Sequence, residues 1–207
     1  MKFSITSREI TEICISMLVL SLALFVALEG LGALFTDFSS LVVNLGIILI
    51  ALGFGFVLHE LGHKFVAQYY GAQAEFRMWP TGLVLAFGMA VLVGVIFAAP
   101  GAVYIYAKNI TKRQNGLISL AGPVVNFILA IIFLFLFIFL IPFLGADSIL
   151  IRLTFFGWNI NAVLGFFNML PIGPLDGGKI MRWNFFVWLF FSILGFSLFI
   201  FPMFFLI

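Results

Sequence analysis

The chain has 207 residues, of which 64% are hydrophobic and only 9% charged, and its net charge is +2. A soluble domain carries about a quarter charged residues, so this chain lacks the polar residues needed to cover a water-facing surface. The small net charge also gives no reason to expect a nucleic-acid partner. The composition therefore indicates an all-α polytopic membrane protein whose main partner is the lipid bilayer.

Apolar segments of spanning length follow one another along the chain. We predict about five full spans, or six if segment 81–99 also crosses the membrane. The first apolar run is too long for a signal peptide and has no clear small-residue cleavage site, so a retained helix is expected. The predicted spans are 13–35, 38–70, 117–141, 149–170 and 184–207.

Two short segments are predicted as strands, and their position depends on segment 81–99 between them. Residues 73–79 alternate polar and apolar, and residues 102–107 are rich in Val, Ile and Tyr. If 81–99 spans fully, the ten basic residues divide equally between the two sides. If 81–99 enters and leaves on one side, only Arg152 lies opposite the other nine. The positive-inside bias favours this re-entrant arrangement, which also lets the two strands pair as a small membrane-associated sheet.

The run HELGH, residues 59–63, carries the only two histidines of the protein. His59 and His63 are four apart on a predicted helix, so both imidazoles project from one face. This is the spacing of zinc peptidases, in which the intervening glutamate, here Glu60, is the general base. A chance match is unattractive, because ionisable groups at membrane depth are costly and rare.

A catalytic zinc needs a third protein ligand and an open position for water. Val66 and Tyr69 stand where a metzincin has glycine and a third histidine, so that class is excluded. Two acidic candidates are Glu75, in the first predicted strand, and Asp176, in the Pro/Gly-rich break 171–178. The re-entrant topology puts Asp176 on the same side as His63. Zinc with two ionised carboxylates is also formally neutral, which suits a low dielectric.

The motifs together resemble those of the site-2 protease family of intramembrane zinc metalloproteases. HELGH on a membrane helix is followed by N-x-x-P-x-x-P-L-D-G at 168–177, and AGPVVN at 121–126 is similar to the family's third motif. The resemblance covers residues 41–182, the expected catalytic core of a single domain 1–207 without a PDZ module. It implies one zinc ion bound by His59, His63 and Asp176, and catalysis by Glu60.

Three further residues are expected at this site. Asn168 would help to hold the substrate or the oxyanion of the reaction. Gly122 and Asn126 are predicted to bind substrate, and the alternative for them is interhelical packing.

The resemblance implies proteolysis of membrane-protein substrates in or near their transmembrane segments. The expected location is the plasma membrane, with the active site toward the cytosol, and an extended substrate could add to an edge of the predicted sheet. Two alternatives remain open. One is a zinc peptidase of the prenyl-protein type, with a glutamate such as Glu75 as third ligand. The other is a metal-binding membrane protein without enzymatic activity.

Overall fold

The computed structural model describes residues 3–35, 37–96, 100–107 and 109–201. Along these residues it contains seven α-helices, a 3₁₀ helix at Leu31–Phe35 and two strands. The strands are β1 (Gln73–Met78) and β2 (Gly101–Tyr106). The helices are α1 (Ser7–Glu29), α2 (Phe38–Tyr69), α3 (Pro80–Val93), α4 (Lys112–Leu144), α5 (Ile149–Asn168), α6 (Asp176–Trp183) and α7 (Phe185–Ile200).

Four of the described helices, α1, α2, α4 and α5, are long and apolar enough to cross a membrane. The apolar helices α3 and α7 have 14 and 16 residues. At 1.5 Å per residue they are about 21 and 24 Å long, which is shorter than a hydrocarbon core of about 30 Å. The predicted fold class, a helical polytopic membrane protein with a small sheet, is confirmed. Residues 202–207 of the predicted last span lie outside the described residues.

The two strands pair antiparallel, with Gln73 opposite Tyr106 and Met78 opposite Gly101. The backbone N–H of Trp79 also donates to the carbonyl of Pro100 at 2.9 Å. The two ends of segment 81–99 therefore meet at one place, as the re-entrant prediction requires. Within this segment α3 packs against α1, and residues 97–99 lie outside the described residues.

Helices α2, α4 and α5 pack around the centre of the bundle, and glycines allow their close approach. A Cβ atom on Gly62 of α2 would lie 3.2 Å from the carbonyl oxygen of Ala121 in α4. A Cβ atom on Gly165 of α5 would lie only 2.5 Å from the ring of Phe127 in α4. The three helices thus bring their polar side chains into a shared interior.

Two helices begin before their predicted apolar spans, because local hydrogen bonds cap them. Thr6 and Glu9 form a reciprocal capping box that starts α1 at Ser7. Thr111 and Gln114 form a second one, so α4 begins at Lys112, ahead of the predicted span 117–141.

Candidate metal centre

The two histidines lie in the buried C-terminal half of α2. Each residue has less than a tenth of its surface exposed, and their Nε2 atoms are 3.0 Å apart. Helical spacing of four residues places both rings on the same face, and that face looks toward α4 and α6. HELGH therefore presents two imidazole nitrogens to one point.

Asp176 joins the histidines from a part of the chain more than 110 residues away. Its Oδ2 atom lies 3.1 Å from Nε2 of His63 and 3.6 Å from Nε2 of His59. The predicted break at 171–178 is too long, because α6 begins at Asp176 itself. The first residue of α6 thus meets the C-terminal half of α2.

The start of α6 is held in place by close backbone packing. A Cβ atom on Gly177 would lie only 2.0 Å from the carbonyl oxygen of Met169, so no other residue fits there. The same carbonyl accepts a hydrogen bond from the indole N–H of Trp188 in α7 at 2.8 Å. These contacts fix the turn that delivers Asp176.

The three donor atoms have the spacing that a tetrahedral zinc site requires. Zinc bonds of 2.0–2.1 Å place neighbouring ligand atoms about 3.3 Å apart, close to the separations between these three residues. Over residues 3–35, 37–96, 100–107 and 109–201, they form the one group of His, Cys, Asp or Glu side chains able to share a metal ion. Glu75 is outside this group, and its carboxylate binds the guanidinium of Arg77 at 2.5 Å.

The far nitrogens of both imidazoles determine what faces the centre. Nδ1 of His59 lies 2.5 Å from the side-chain oxygen of Asn126, and Nδ1 of His63 lies 2.7 Å from the backbone carbonyl of Ile118. Both partners are acceptors, so each Nδ1 carries the proton and each Nε2 presents a lone pair. Two lone pairs and a carboxylate oxygen then converge on one point, where a bound metal cation would relieve their repulsion. The residues present therefore fit a zinc ion.

Asn126 is completely buried and connects three helices. Its amide N–H groups donate to the carbonyl of Gly55 at 3.1 Å and to the side chain of Asn161 at 2.9 Å, while its oxygen faces His59. Since the side chain is used inside the bundle, the geometry favours support of His59 over the predicted substrate binding. The sequence pattern indicates helix packing for Asn161, and its contact with Asn126 adds a link to the metal centre.

Gly122 lies directly beside the two histidines. A Cβ atom at this position would stand 2.5 Å from Nε2 of His63 and 2.6 Å from Nε2 of His59. The next residue, Pro123, lies inside α4 and has no N–H to donate to the carbonyl of Ser119, the neighbour of Ile118. The absence of a side chain at Gly122 keeps the space between the histidines free, and its predicted contact with substrate stays a prediction.

Glu60 is buried at the same end of α2, with 8% of its surface exposed. Its Oε2 atom has no hydrogen-bond partner among the described residues. The backbone N–H of Val103 in β2 faces this carboxylate. An unpaired carboxylate oxygen inside a membrane protein is costly, and it is chemically useful only where a proton donor such as water can reach it.

Asn168 is the last residue of α5 and is half-buried. Its side-chain amide donates to the carbonyl of Leu164 in the preceding turn at 2.9 Å. This bond holds the side chain against its own helix, and its predicted place at the reaction centre stays a prediction.

Comparison with known proteins places these residues in a family. The model of peptidase family M50 matches residues 47–150 and 144–188, a range that includes all three motifs. The chain belongs to peptidase family M50. This membership confirms the resemblance to the site-2 proteases and identifies a membrane metalloprotease.

Several M50 relatives carry names that agree with this membership. Methanocaldococcus jannaschii has a protein with the provisional name zinc metalloprotease MJ0611, 43% identical over 89% of each chain. Zinc metalloprotease MJ0392 of the same organism is 29% identical over 88% of this chain and 45% of its own length. A Bacillus subtilis protein provisionally named zinc metalloprotease YwhC is 33% identical over 65% of this chain and 67% of its own. No solved structure matches the chain.

Proposed function

We propose that this M50 protein is an intramembrane endopeptidase that hydrolyses peptide bonds in or near transmembrane segments of other membrane proteins. One zinc ion would be held by His59, His63 and Asp176. The observation that supports this most strongly is the convergence of three acceptor atoms, 3.0 to 3.6 Å apart, in the bundle that also buries the unpaired oxygen of Glu60.

Each role that hydrolysis requires can be assigned to a described side chain or to the bound metal. Zinc, when bound, supplies Lewis-acid activation of water and of the peptide carbonyl. Glu60 takes the proton of the attacking water and transfers it to the leaving amine. Asn126 and the Ile118 carbonyl hold the histidines in the tautomer that binds metal. Asn168 would donate from its amide to the substrate carbonyl after leaving Leu164.

The substrate must be extended where it is cut, because a helix keeps its carbonyl groups in hydrogen bonds. Val103 of β2 faces Glu60 with its backbone N–H. In an antiparallel strand, alternate residues direct their N–H and C=O groups to the same side. The outward groups of Gly101, Val103 and Ile105 therefore form one edge of the sheet, which runs beside Glu60. We propose that an unwound substrate segment pairs with this edge.

A proline tests this docking edge. Val103→Pro removes an outward N–H without removing a hydrogen bond between β1 and β2. The expected result is a rise of about tenfold in KM for a transmembrane test substrate. Val103→Ala is the matched control, because it shortens the same side chain and keeps the N–H. Unchanged cleavage by Val103→Pro would exclude the docking edge.

The basic residues support a location with the site toward the cytosolic side of the plasma membrane. Asp176 and the end of α2 lie close to Lys179 and Lys64, two of the nine basic residues that the re-entrant topology puts on one side. Positively charged residues accumulate on the cytosolic face of membrane proteins. Labelling of single cysteines from each side of the membrane tests this orientation.

Metal analysis together with cleavage by Glu60→Gln tests the enzymatic function. The substitution keeps the shape of the side chain and removes its capacity to accept a proton. We expect a bound zinc ion and a loss of cleavage of about 10²- to 10⁴-fold. A Glu60→Gln variant that cleaves as fast as the wild type would contradict the mechanism. A zinc-free wild type would exclude the metal site.

A further inference from the structure

One face of α1 carries three buried polar side chains close together. Glu9, Glu12 and Ser16 are spaced i, i+3 and i+7, and each is more than nine-tenths buried. Polar groups at such positions are costly unless they have partners. Partners for all three lie in or next to the two-stranded sheet. The Ser16 hydroxyl, for example, is 3.5 Å from the carbonyl of Pro100, the residue just before β2.

Glu9 connects three parts of the chain. Its Oε1 accepts the backbone N–H of Phe76 in β1 at 2.9 Å and pairs with the buried ammonium of Lys64 in α2. Its Oε2 accepts the backbone N–H of Thr6 at 2.9 Å. Both side chains of the Glu9–Lys64 pair are at most 2% exposed. The strand is thus bound to α1 and, through the ion pair, to the helix that carries the histidines.

Glu12 makes the equivalent contact two residues further along β1. Its Oε2 accepts the backbone N–H of Met78 at 3.0 Å. Its Oε1 pairs with the guanidinium groups of Arg8 at 2.7 Å and Arg77 at 3.5 Å. The two carboxylates therefore follow the strand and bind alternate N–H groups.

These alternate groups belong to the edge of β1 that points away from β2. The inward groups are used within the sheet, and the outward N–H groups of Phe76 and Met78 are occupied by the two glutamates. The opposite edge of the sheet, on β2, faces Glu60. One edge is closed by α1, and the other lies beside the metal centre.

We propose that Glu9 and Glu12 are positioning residues that make the sheet one-sided. They occupy the edge on which pairing would be unproductive and hold β2 at a fixed place beside Glu60. An extended segment of a membrane-protein substrate then pairs only where its backbone runs past the catalytic base. This inference rests on the proposed function, and the two glutamates act through β1 without touching the substrate.

Amide hydrogen exchange together with substrate kinetics tests this inference. Glu12→Ala should speed exchange of the Met78 amide and raise KM for a transmembrane test substrate, each by about tenfold or more. The kcat value and the zinc content should change less than about twofold. Glu12→Gln still accepts the Met78 N–H and should restore most of the KM.

Arg8→Gln is the matched control for charge. The Arg8 side chain is 70% exposed, and its loss removes an ion pair of Glu12 while leaving the strand contact in place. Equal effects of Arg8→Gln and Glu12→Ala would overturn the inference, as would unchanged Met78 exchange in Glu12→Ala.

If Glu12→Ala does not accumulate, Met78→Pro removes the same hydrogen bond from the strand and should raise KM likewise. An unchanged KM in Met78→Pro would overturn the inference. Amide exchange and zinc content are measured without any cleavage assay. Their results therefore test the inference even if the proposed function fails.

Discussion

His63 and Lys64 are neighbours in α2, yet they belong to two buried polar clusters that differ in one respect. The ammonium of Lys64 meets the carboxylate of Glu9, and the remaining lone pairs of that carboxylate accept backbone N–H groups. The imidazole of His63 meets a lone pair of His59 and a carboxylate oxygen of Asp176. The first cluster, called complete, pairs its opposite charges within the protein. The second, called incomplete, gathers acceptor atoms that a metal cation would satisfy.

The difference separates polar groups that hold the fold from those that carry chemistry. A buried ion pair whose carboxylate also accepts backbone N–H groups fixes neighbouring elements relative to one another. A set of converging acceptors has no such function without a ligand. Completeness in this sense, rather than burial alone, therefore indicates which cluster is suited to bind a metal ion.

The largest effect is expected at the incomplete cluster. Asp176→Asn removes the carboxylate charge from the centre, so zinc affinity should fall by more than about 100-fold and cleavage should be lost. Chelator competition on the purified protein measures the affinity. Glu75→Gln is the control and should keep its zinc; the opposite pattern, with zinc lost only in Glu75→Gln, would favour the prenyl-protein type of site.

A stability effect without a metal effect is expected at the complete cluster. Lys64→Met leaves the Glu9 carboxylate buried without its cation, which should lower the free energy of unfolding by about 3–5 kcal/mol. Adding Glu9→Gln to this variant should recover most of the loss, because no charge is then left unpaired. Denaturation in detergent measures both. A double variant no more stable than Lys64→Met would show that the pair is not the relevant unit.

The smallest of the three effects is expected one contact away from the metal. Asn126→Ala removes the acceptor for Nδ1 of His59, so the zinc dissociation constant should rise by about 10- to 100-fold. Asn159→Ala is the matched control, since its amide donates only within α5, to Phe155 at 2.9 Å. Equal zinc affinity in both variants would contradict the supporting role of Asn126.

The sequence predicts the parts of the site whose chemistry is local or carried by a motif. The HELGH spacing determines that both imidazoles share a face, and the Pro/Gly-rich segment around Asp176 marks an irregular backbone near the histidines. The basic residues predict that segment 81–99 returns to its starting side, and the pairing of β1 with β2 agrees.

The missed features depend on partners that are distant in the chain. Asn126 looks like a packing or substrate residue until its oxygen is seen against His59. The contact of the Ile118 carbonyl with His63 cannot be predicted from residue type, because every residue has a backbone carbonyl group. In the sequence, Glu9 and Glu12 are ordinary polar residues of an N-terminal segment. Their role becomes visible only in the structure, where they accept backbone N–H groups on the outward edge of β1.

At Gly122 a single methyl group is enough to change the surroundings of the proposed metal site. A single methyl group there would occupy the space into which both Nε2 lone pairs point. Gly122→Ala would leave the capping boxes, the ion pairs of α1 and the paired strands untouched, and yet it would exclude the ion. A single Gly-to-Ala codon change is therefore expected to keep the helical bundle and to remove the proposed zinc site, so that the proposed cleavage is lost.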